Sequence, residues 1–338
     1  MTGGVLVLLG LAVALILAFQ AAKHLEARYG ERSFGAFVIR RMAWLALTVL
    51  VVFTITFFLM RAVPGGPFDE ERRLLPEVKR NLLVRYGLDR PVHEQYVSAL
   101  LGLLRFDFGP CLSQRDWSVR DVLLLGLPPS LLLGFTALFW ALLIGLPAGF
   151  WAARKRGTLI DTILTALTSL GMAVPNFVLA LLLLLLFSFR LKLLPPAGLT
   201  TPADLLLPSL TLGLPFAAQV ARLFRTGLLD VMSQDFIRTA YAKGLSERRV
   251  LLCHAFLPAS IPVITFLGPA LAGILTGSLV IEQVFAIPGL GTHFVQGALN
   301  RDYTLSLGMV VLFTALVSFL NLLCDVLVAA IDPRVKLK

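Results

Sequence analysis

Seven stretches of the chain, each 18 to 30 residues long, are almost entirely apolar, and no other feature limits the possible folds as much. A helix needs about 20 mostly apolar residues to cross a bilayer core about 30 Å thick. Helices satisfy their own backbone hydrogen bonds in lipid, so such stretches predict membrane spans. They cover residues 5–22, 37–60, 129–153, 160–189, 205–229, 259–281 and 305–331. The sequence therefore predicts an all-α, polytopic membrane protein, with a kink at Pro175 inside the fourth stretch.

The composition agrees with a protein that is largely dissolved in lipid. Hydrophobic residues make up 57% of the chain and charged residues 15%, against about 25% charged residues in a typical soluble domain. The formal net charge is +10. Its Lys and Arg residues lie at the ends of apolar stretches rather than on a basic domain, so we do not expect nucleic acid as a partner.

The residues that usually carry catalysis or hold metals are scattered. They are Cys111, Cys253, Cys324, His24, His93, His254 and His293, with no CxxC or HExxH spacing. The sequence also lacks a GxxxxGK[ST] phosphate loop and a GxSxG nucleophile motif. We therefore predict no catalytic residue, metal or cofactor in this chain. If the system uses ATP, another chain must hydrolyse it.

The distribution of basic residues predicts the orientation of the spans. Seventeen Lys and Arg residues, Arg222 among them, are counted with one alternating set of connections and the C-terminal tail, against three in the short connections of the other set. Positive residues favour the cytoplasmic side, which puts the C-terminus inside and the N-terminus outside. For stretch 5–22 a cleaved signal peptide is the alternative. The absence of a basic residue before it favours a retained helix.

The connection 233–258, SQDFIRTAYAKGLSERRVLLCHAFLP, is the most informative segment and is expected to be cytoplasmic. It is typical of two short helices at an angle. Ser233 or Asp235 can cap the first helix, Lys243 lies in its last turn, and Gly244 supplies the left-handed residue that ends it.

The second helix of this elbow would begin with Ser246 as its cap and Glu247 in its first turn. From the residues alone, two interpretations stay open. The segment could be a solvated basic connection, or it could be a surface on which another protein docks.

The elbow resembles the coupling loop of binding-protein-dependent ABC permeases, in particular the peptide/nickel branch. Thr239, Ala240 and Gly244 resemble the Glu-Ala-Ala…Gly signature, with Thr239 in place of the glutamate. The branch pattern D-[YF]-I-R-T-A-x-A-K-G-L is matched in order by Asp235, Phe236, Ile237, Arg238, Thr239, Ala240, Ala242, Lys243, Gly244 and Leu245.

The similarity extends over residues 37–338. Further motifs that resemble the branch are Arg40-Arg41, Pro64-Gly65-Gly66-Pro67, Gly87-Leu88-Asp89-Arg90-Pro91, Gln95-Tyr96, Asp107-Phe108-Gly109, Arg156-Gly157 with Asp161, Pro175 with Phe177, Glu282-Gln283-Val284-Phe285, Pro288-Gly289-Leu290-Gly291, Asn321-Leu322 with Asp325, and Asp332-Pro333-Arg334. The branch usually has six spans, so the resemblance implies the type I importer permease fold with six core helices plus one extra N-terminal helix.

The resemblance divides the chain into the extra helix with its basic linker (1–36) and the permease domain (37–338), with an external region (62–128) and a coupling loop (230–258). It implies a prokaryotic inner-membrane subunit that forms half of a path for short peptides. The implied partners are a second homologous permease, two ATPase subunits that bind ATP and Mg²⁺, and an external solute-binding protein. Expected ATPase contacts are Asp235, Arg238, Thr239, Ala240, Ala242, Lys243, Gly244, Leu245, Ser246, Glu247, Arg248 and Arg249, with the two alanines allowing close approach.

Polar groups inside the spans are the other candidates, because they are costly in lipid. Ser169, Pro175, Asn176, Glu282 and Asp325 could line the path, and helix packing is the alternative. For Asp161, Glu282 and Asp325 the favoured interpretation is an interhelical or capping hydrogen bond.

The external region carries aromatic residues that favour the headgroup zone, so interfacial amphipathic helices are expected there. These residues are Tyr86, Tyr96, Phe106, Phe108 and Trp117. Docking of the binding protein and a lid on the bilayer remain equal alternatives for it.

Two other classes of function are alternatives to a permease. An ion-coupled secondary transporter usually shows an internal repeat, which is not found, and leaves the elbow unexplained. A channel or intramembrane enzyme lacks support in any catalytic pattern. Within the ABC importers, nickel, glutathione and oligosaccharides are the alternative substrates.

Overall fold

The computed structural model describes residue 20 and residues 34–62, 76–113 and 116–331, and the regular secondary structure of this part of the chain is helical. One isolated bridge joins Pro110 and Ser118. The helices are α1 (Phe34–Ala62), α2 (Pro76–Arg85), α3 (Val92–Leu104), α4 (Val119–Arg154), α5 (Leu159–Ala173), α6 (Asn176–Leu183), α7 (Leu206–Met232), α8 (Asp235–Ala242), α9 (Glu247–Arg249), α10 (Phe256–Val284), α11 (Leu290–Leu299) and α12 (Tyr303–Ile331). A π-helix, Leu184–Arg190, continues α6, a second, Val250–Ala255, joins α9 to α10, and a 3₁₀ turn, Pro202–Leu205, precedes α7.

Five of the seven predicted spans are confirmed as apolar helices of sufficient length, and a sixth is present as a bent pair of helices. Five are unbroken: Phe37–Ala62, Val119–Arg154, Pro202–Met232, Glu247–Val284 and Tyr303–Val328. The sixth is the bent pair Leu159–Ala173 and Asn176–Arg190. The predicted stretch 5–22 lies outside the described residues.

The kink expected at Pro175 is confirmed, and it is a break rather than a bend. The direction of the helix axis changes by 107° between the two halves. Proline disfavours the helical region for the residue before it, and Val174 is extended with ψ 124°. Pro175 then serves as the N-cap residue of α6.

The chain divides into two compact units, residues 1–128 with 292–319 and 336–338, and residues 129–291 with 320–335. In the first unit, α3 packs on α1. Tyr96 is buried against Phe53 and Phe57, and its hydroxyl lies 2.9 Å from the Thr54 hydroxyl. Helices do form in the external region, but Tyr96 is 2% exposed and packs in a core rather than standing in a headgroup zone.

In the second unit, α7 packs tightly against its neighbours because small residues let the backbones approach. A Cβ atom on Gly145 of α4 would lie 2.6 Å from the Ala217 carbonyl of α7. On the α10 side, Ala270 and Ser278 are fully buried within this chain. Neither residue is therefore available to contact a second permease, because this chain already covers both.

Candidate functional site

Helix α8 of the predicted elbow has one buried face and one exposed face. Ile237 and Ala240 are 1% and 5% exposed and belong to a core cluster with α7 and the π-helical segment. Phe236 and Tyr241 are 42% and 40% exposed on the other face. Ala240 thus packs inward, which contradicts its expected role in close approach to a partner; Ala242, which is exposed, keeps that role as a prediction.

The turn at Gly244 is the helix stop that the sequence predicts. Gly244 has φ +78°, its N–H donates to the Tyr241 carbonyl at 2.9 Å, and the Leu245 N–H donates to the Ala240 carbonyl at 3.3 Å. This pair of bonds is a Schellman motif, which satisfies carbonyls that the helix end leaves free. Leu245 packs against the same core cluster as Ala240 and fixes the direction in which the chain leaves.

The predicted caps of the elbow are not found. The N-cap residue of α8 is Gln234, with no side-chain capping bond. Ser233 instead donates its hydroxyl to the Asp230 carbonyl at 2.7 Å, because it ends the preceding helix. Asp235 lies in the first turn, 3.5 Å from Arg238. Ser246 does occupy the N-cap position of the second limb, but its side chain makes no capping bond.

The second limb is not a separate short helix. It runs without interruption from Glu247 through the π-helical segment into α10, a helix of 38 residues. Its first turn is tied to the end of α4 by an ion pair between Arg154 Nε and Glu247 Oε1 at 3.2 Å. Any displacement of the elbow is therefore coupled to a span directly.

The elbow presents a mixed basic and apolar surface. Between positions 235 and 249 its exposed residues are Asp235, Phe236, Arg238, Thr239, Tyr241, Ala242, Lys243, Gly244, Ser246, Glu247, Arg248 and Arg249. Exposed aromatic side chains beside arginines are typical of protein interfaces.

Asp161 joins two helices at one end of the second unit. Its carboxylate accepts from Arg225 Nε at 2.8 Å and Nη2 at 2.9 Å, and from the Gly157 N–H at 3.0 Å. It thereby ties the turn before α5 to the first turn of the helix and ties α5 to α7. The favoured interpretation of Asp161, an interhelical or capping hydrogen bond, is confirmed for the interhelical bond to Arg225.

We expect Asp161→Asn to lower the thermal stability of the chain, because Asn cannot accept a bidentate guanidinium and leaves Arg225 uncompensated. The loss should be about 1–3 kcal/mol, measured by thermal unfolding in detergent. The exchange Asp161→Arg with Arg225→Asp should recover part of it. Equal unfolding temperatures for the wild type and Asp161→Asn would contradict a stabilising pair.

Glu282 is fully buried and is a structural anchor, as the packing interpretation predicted. Its Oε1 accepts from the Ser130 hydroxyl at 2.7 Å, and its Oε2 accepts from the Gly291 N–H at 2.7 Å. Ser130 in turn accepts from the Leu290 N–H at 2.8 Å. The carboxylate therefore holds the first turn of α11, which the Pro-Gly-Leu-Gly segment begins.

A polar cleft of about 170 Å³ lies among α4, α5 and α7. It brings the predicted Ser169 together with Thr165 and Thr168 of α5 and with Arg222, Arg225 and Thr226 of α7. The other path candidates lie elsewhere: Pro175 and Asn176 begin α6, Asn176 lies near Gly277, and Asp325 is half-buried on α12. Of the five residues predicted to line the path, Ser169 therefore lines the cleft. Pro175, Asn176, Glu282 and Asp325 do not line it.

Two residues were missed by the sequence reasoning. Arg222 was counted with a cytoplasmic connection, but it lies inside α7, ten residues before the helix ends. Asp302 is fully buried and accepts from the N–H groups of Leu112 and Ser113 at 2.8 and 2.9 Å and from the Leu305 N–H at 3.0 Å. An aspartate just before the apolar stretch 305–331 is an N-cap signal that could have found it.

Near Asp302, burial raises the pKa of the Cys111 thiol to about 12, and the carboxylates of Asp302 and Asp121 add to this. The thiol therefore stays protonated and is not a reactive nucleophile. Cys253 is the exposed cysteine of the described residues.

Comparison with known proteins gives consistent results. The family model described as "Binding-protein-dependent transport system inner membrane component" matches residues 145–337, a range that includes the elbow and the polar cleft. The oligopeptide transport system permease protein OppB of Haemophilus influenzae is 42% identical over 302 residues, and that of Escherichia coli K12 is 43% identical over 302 residues; each match spans 89% of this chain and 99% of the relative. The dipeptide transport system permease protein DppB of Bacillus subtilis is 42% identical over 301 residues, which span 89% of this chain and 98% of the relative.

Among solved structures, the MetNI methionine ABC transporter in an inward-facing conformation is similar in fold. One crystal form superposes with a TM-score of 0.54 at 19% identity, over 62% of this chain and 96% of the other. A second crystal form gives 0.51 at 20% identity with the same coverage. At this identity the likeness supports the fold and nothing further.

Proposed function

This chain belongs to the family of binding-protein-dependent transport system inner membrane components, and from that membership we propose that it forms half of an ATP-driven import path for short peptides. The chain itself is a permease subunit with the type I importer fold. Peptides are the substrate we infer, because relatives that match almost their whole length are named oligopeptide and dipeptide permeases.

The observation that carries the coupling role is the elbow at Gly244. Its inner face is anchored in the core through Ile237 and Ala240, and its outer face exposes Phe236 and Tyr241 next to basic side chains. We propose that this outer face docks on an ATPase subunit, which binds ATP and Mg²⁺. The ATPase then moves the elbow, and α10 and the Arg154–Glu247 pair carry the movement into the spans.

The proposed assembly is a second, homologous permease, two ATPase subunits and an external solute-binding protein. For ATP to drive a switch between inward- and outward-facing arrangements, the ATPase subunits must contact the elbows differently in the two states. Nickel, glutathione and oligosaccharides are not favoured as substrates, because the relatives carry peptide names.

We expect purification in mild detergent to bring down a similar but non-identical membrane subunit in equal amount, together with two ATPase chains. Liposomes that hold this complex and its binding protein should accumulate trialanine with ATP and not without it. Transport by this chain alone, driven by an ion gradient, would overturn the proposal. A homodimer carrying two ATPases would change only the identity of the second half.

The orientation is a proposal that labelling can test. In a Cys253→Ser background, Thr2→Cys should react in sealed cells with an impermeant thiol reagent added outside, and Ser246→Cys should react only after lysis. Labelling of both positions in sealed cells would contradict an outside N-terminus and a cytoplasmic elbow.

A further inference from the structure

We propose that the polar cleft beside Arg222 binds the terminal carboxylate of a peptide on its way through the membrane. This inference rests on the proposed peptide-import function and identifies a contact inside the path.

Arg222 is a cation inside a helix that is long and apolar enough to span the membrane. It lies ten residues before the end of α7. At a rise of 1.5 Å per residue this is about 15 Å along the helix axis. A charged side chain within the hydrocarbon core is expensive unless it is paired or faces water. Arg222 is exposed and lines the cleft, which favours a water-filled surface there.

The two arginines of the cleft differ in what they contact. Arg225 is committed to Asp161 through two bonds. The Nη2 of Arg222 contacts Met172 Sδ at 3.0 Å and Gln219 Oε1 at 3.4 Å. Within residues 34–62, 76–113 and 116–331, no carboxylate pairs with Arg222. The cleft therefore carries one positive charge that is not neutralised.

The size and lining of the cleft define the ligand. A volume of about 170 Å³ is smaller than the roughly 300 Å³ at which ligand pockets begin, so it fits an end group rather than a whole peptide. A guanidinium fork matches a carboxylate in geometry and charge. The hydroxyls of Thr168, Ser169 and Thr226 supply further polar contacts. Every peptide carries a terminal carboxylate, so such a site would accept cargo of any sequence.

The test compares trialanine with trialanine amide, which lacks the carboxylate. The assembled permease–ATPase complex, with Cys253→Ser and Ser169→Cys in this chain, is treated in lipid nanodiscs with a small neutral maleimide. Labelling of the new cysteine is followed by mass spectrometry of this chain. We expect trialanine to protect it, and the amide to require about tenfold to a hundredfold higher concentration for the same protection.

Arg222→Gln should weaken protection by trialanine to the level of the amide, and Arg222→Lys should keep part of it. The matched control is Arg190→Gln, which removes an exposed arginine from the end of the π-helix after α6, outside the cleft, and should change nothing. If the complex with Arg222→Gln does not assemble, the comparison of trialanine with trialanine amide in the complex that keeps Arg222 still tests the proposal.

Three results would overturn the inference: equal protection by the acid and the amide, no effect of Arg222→Gln, or no labelling of the cysteine at all. ATP-driven uptake of trialanine by the unmodified complex separates a failure of this site from a failure of the proposed function. Uptake without discrimination refutes this site alone, whereas no uptake refutes the proposed function.

Discussion

Gly244→Val is expected to lower ATP-driven uptake by about tenfold or more while the chain remains folded in the membrane. Gly244 adopts φ +78°, where a side chain with a Cβ is strained by about 1–2 kcal/mol and a β-branched one by more. A Cβ at this position would meet no atom within 4 Å, so the effect comes from the backbone conformation rather than from a clash. Loss of the left-handed residue breaks the two bonds to Tyr241 and Ala240 and changes the direction in which the chain leaves α8.

A graded series separates this cause from a general loss of stability. Asn tolerates the left-handed region and Ala does so less well. We expect uptake in liposomes to fall in the order Gly, Asn, Ala, Val, with Gly244→Val lower than the wild type by about tenfold or more, since 1.4 kcal/mol is a factor of ten. Pull-down of the ATPase subunits should fall in the same order, while the amount of chain in the membrane stays constant. Wild-type uptake by Gly244→Val would remove the basis for the docking role of the elbow.

The spans and the helix stop could be predicted from the sequence because each depends on local information. An apolar stretch is long enough to cross the bilayer wherever it packs, and a glycine followed by Leu245 ends a helix by its own backbone preference. The break at Pro175 was predictable for the same reason. Its angle was not, because the angle depends on which helices pack around the freed backbone.

The errors concern residues whose role depends on how the surrounding chain folds and packs. Ser233 was a plausible cap for α8, but it closes α7 because α7 ends only one residue earlier. Ala240 was expected to face a partner, but the cluster around Ile237 buries it. Arg222 was assigned to a loop because charge usually marks the end of a span. The cleft shows that charge can lie within one when polar side chains of another helix face it.

The role of Glu282 also depends on long-range contacts, and its replacement is expected to have a large effect on stability. Ser130, which donates to it, is 152 positions away in the sequence. Removal of the carboxylate by Glu282→Ala leaves the Gly291 N–H and the Ser130 hydroxyl without a partner in a buried site. We expect a loss of stability of about 2–5 kcal/mol, from the unsatisfied polar groups together with the cavity.

Gly289→Ala should destabilise the chain to a similar degree without touching the carboxylate. A Cβ on Gly289 would overlap the Glu282 carboxylate and lie 2.6 Å from Ser130 Oγ, and neither group can retreat while both hold the first turn of α11. Gly277→Ala is the matched control, since its Cβ would meet Leu212 at an ordinary 3.6 Å. Thermal unfolding of the detergent-solubilised complex should show a large decrease in midpoint for Gly289→Ala and Glu282→Ala and almost none for Gly277→Ala. If Gly289→Ala unfolds at the wild-type temperature, Glu282 is free to move, and the carboxylate becomes a candidate for the transport path instead of an anchor.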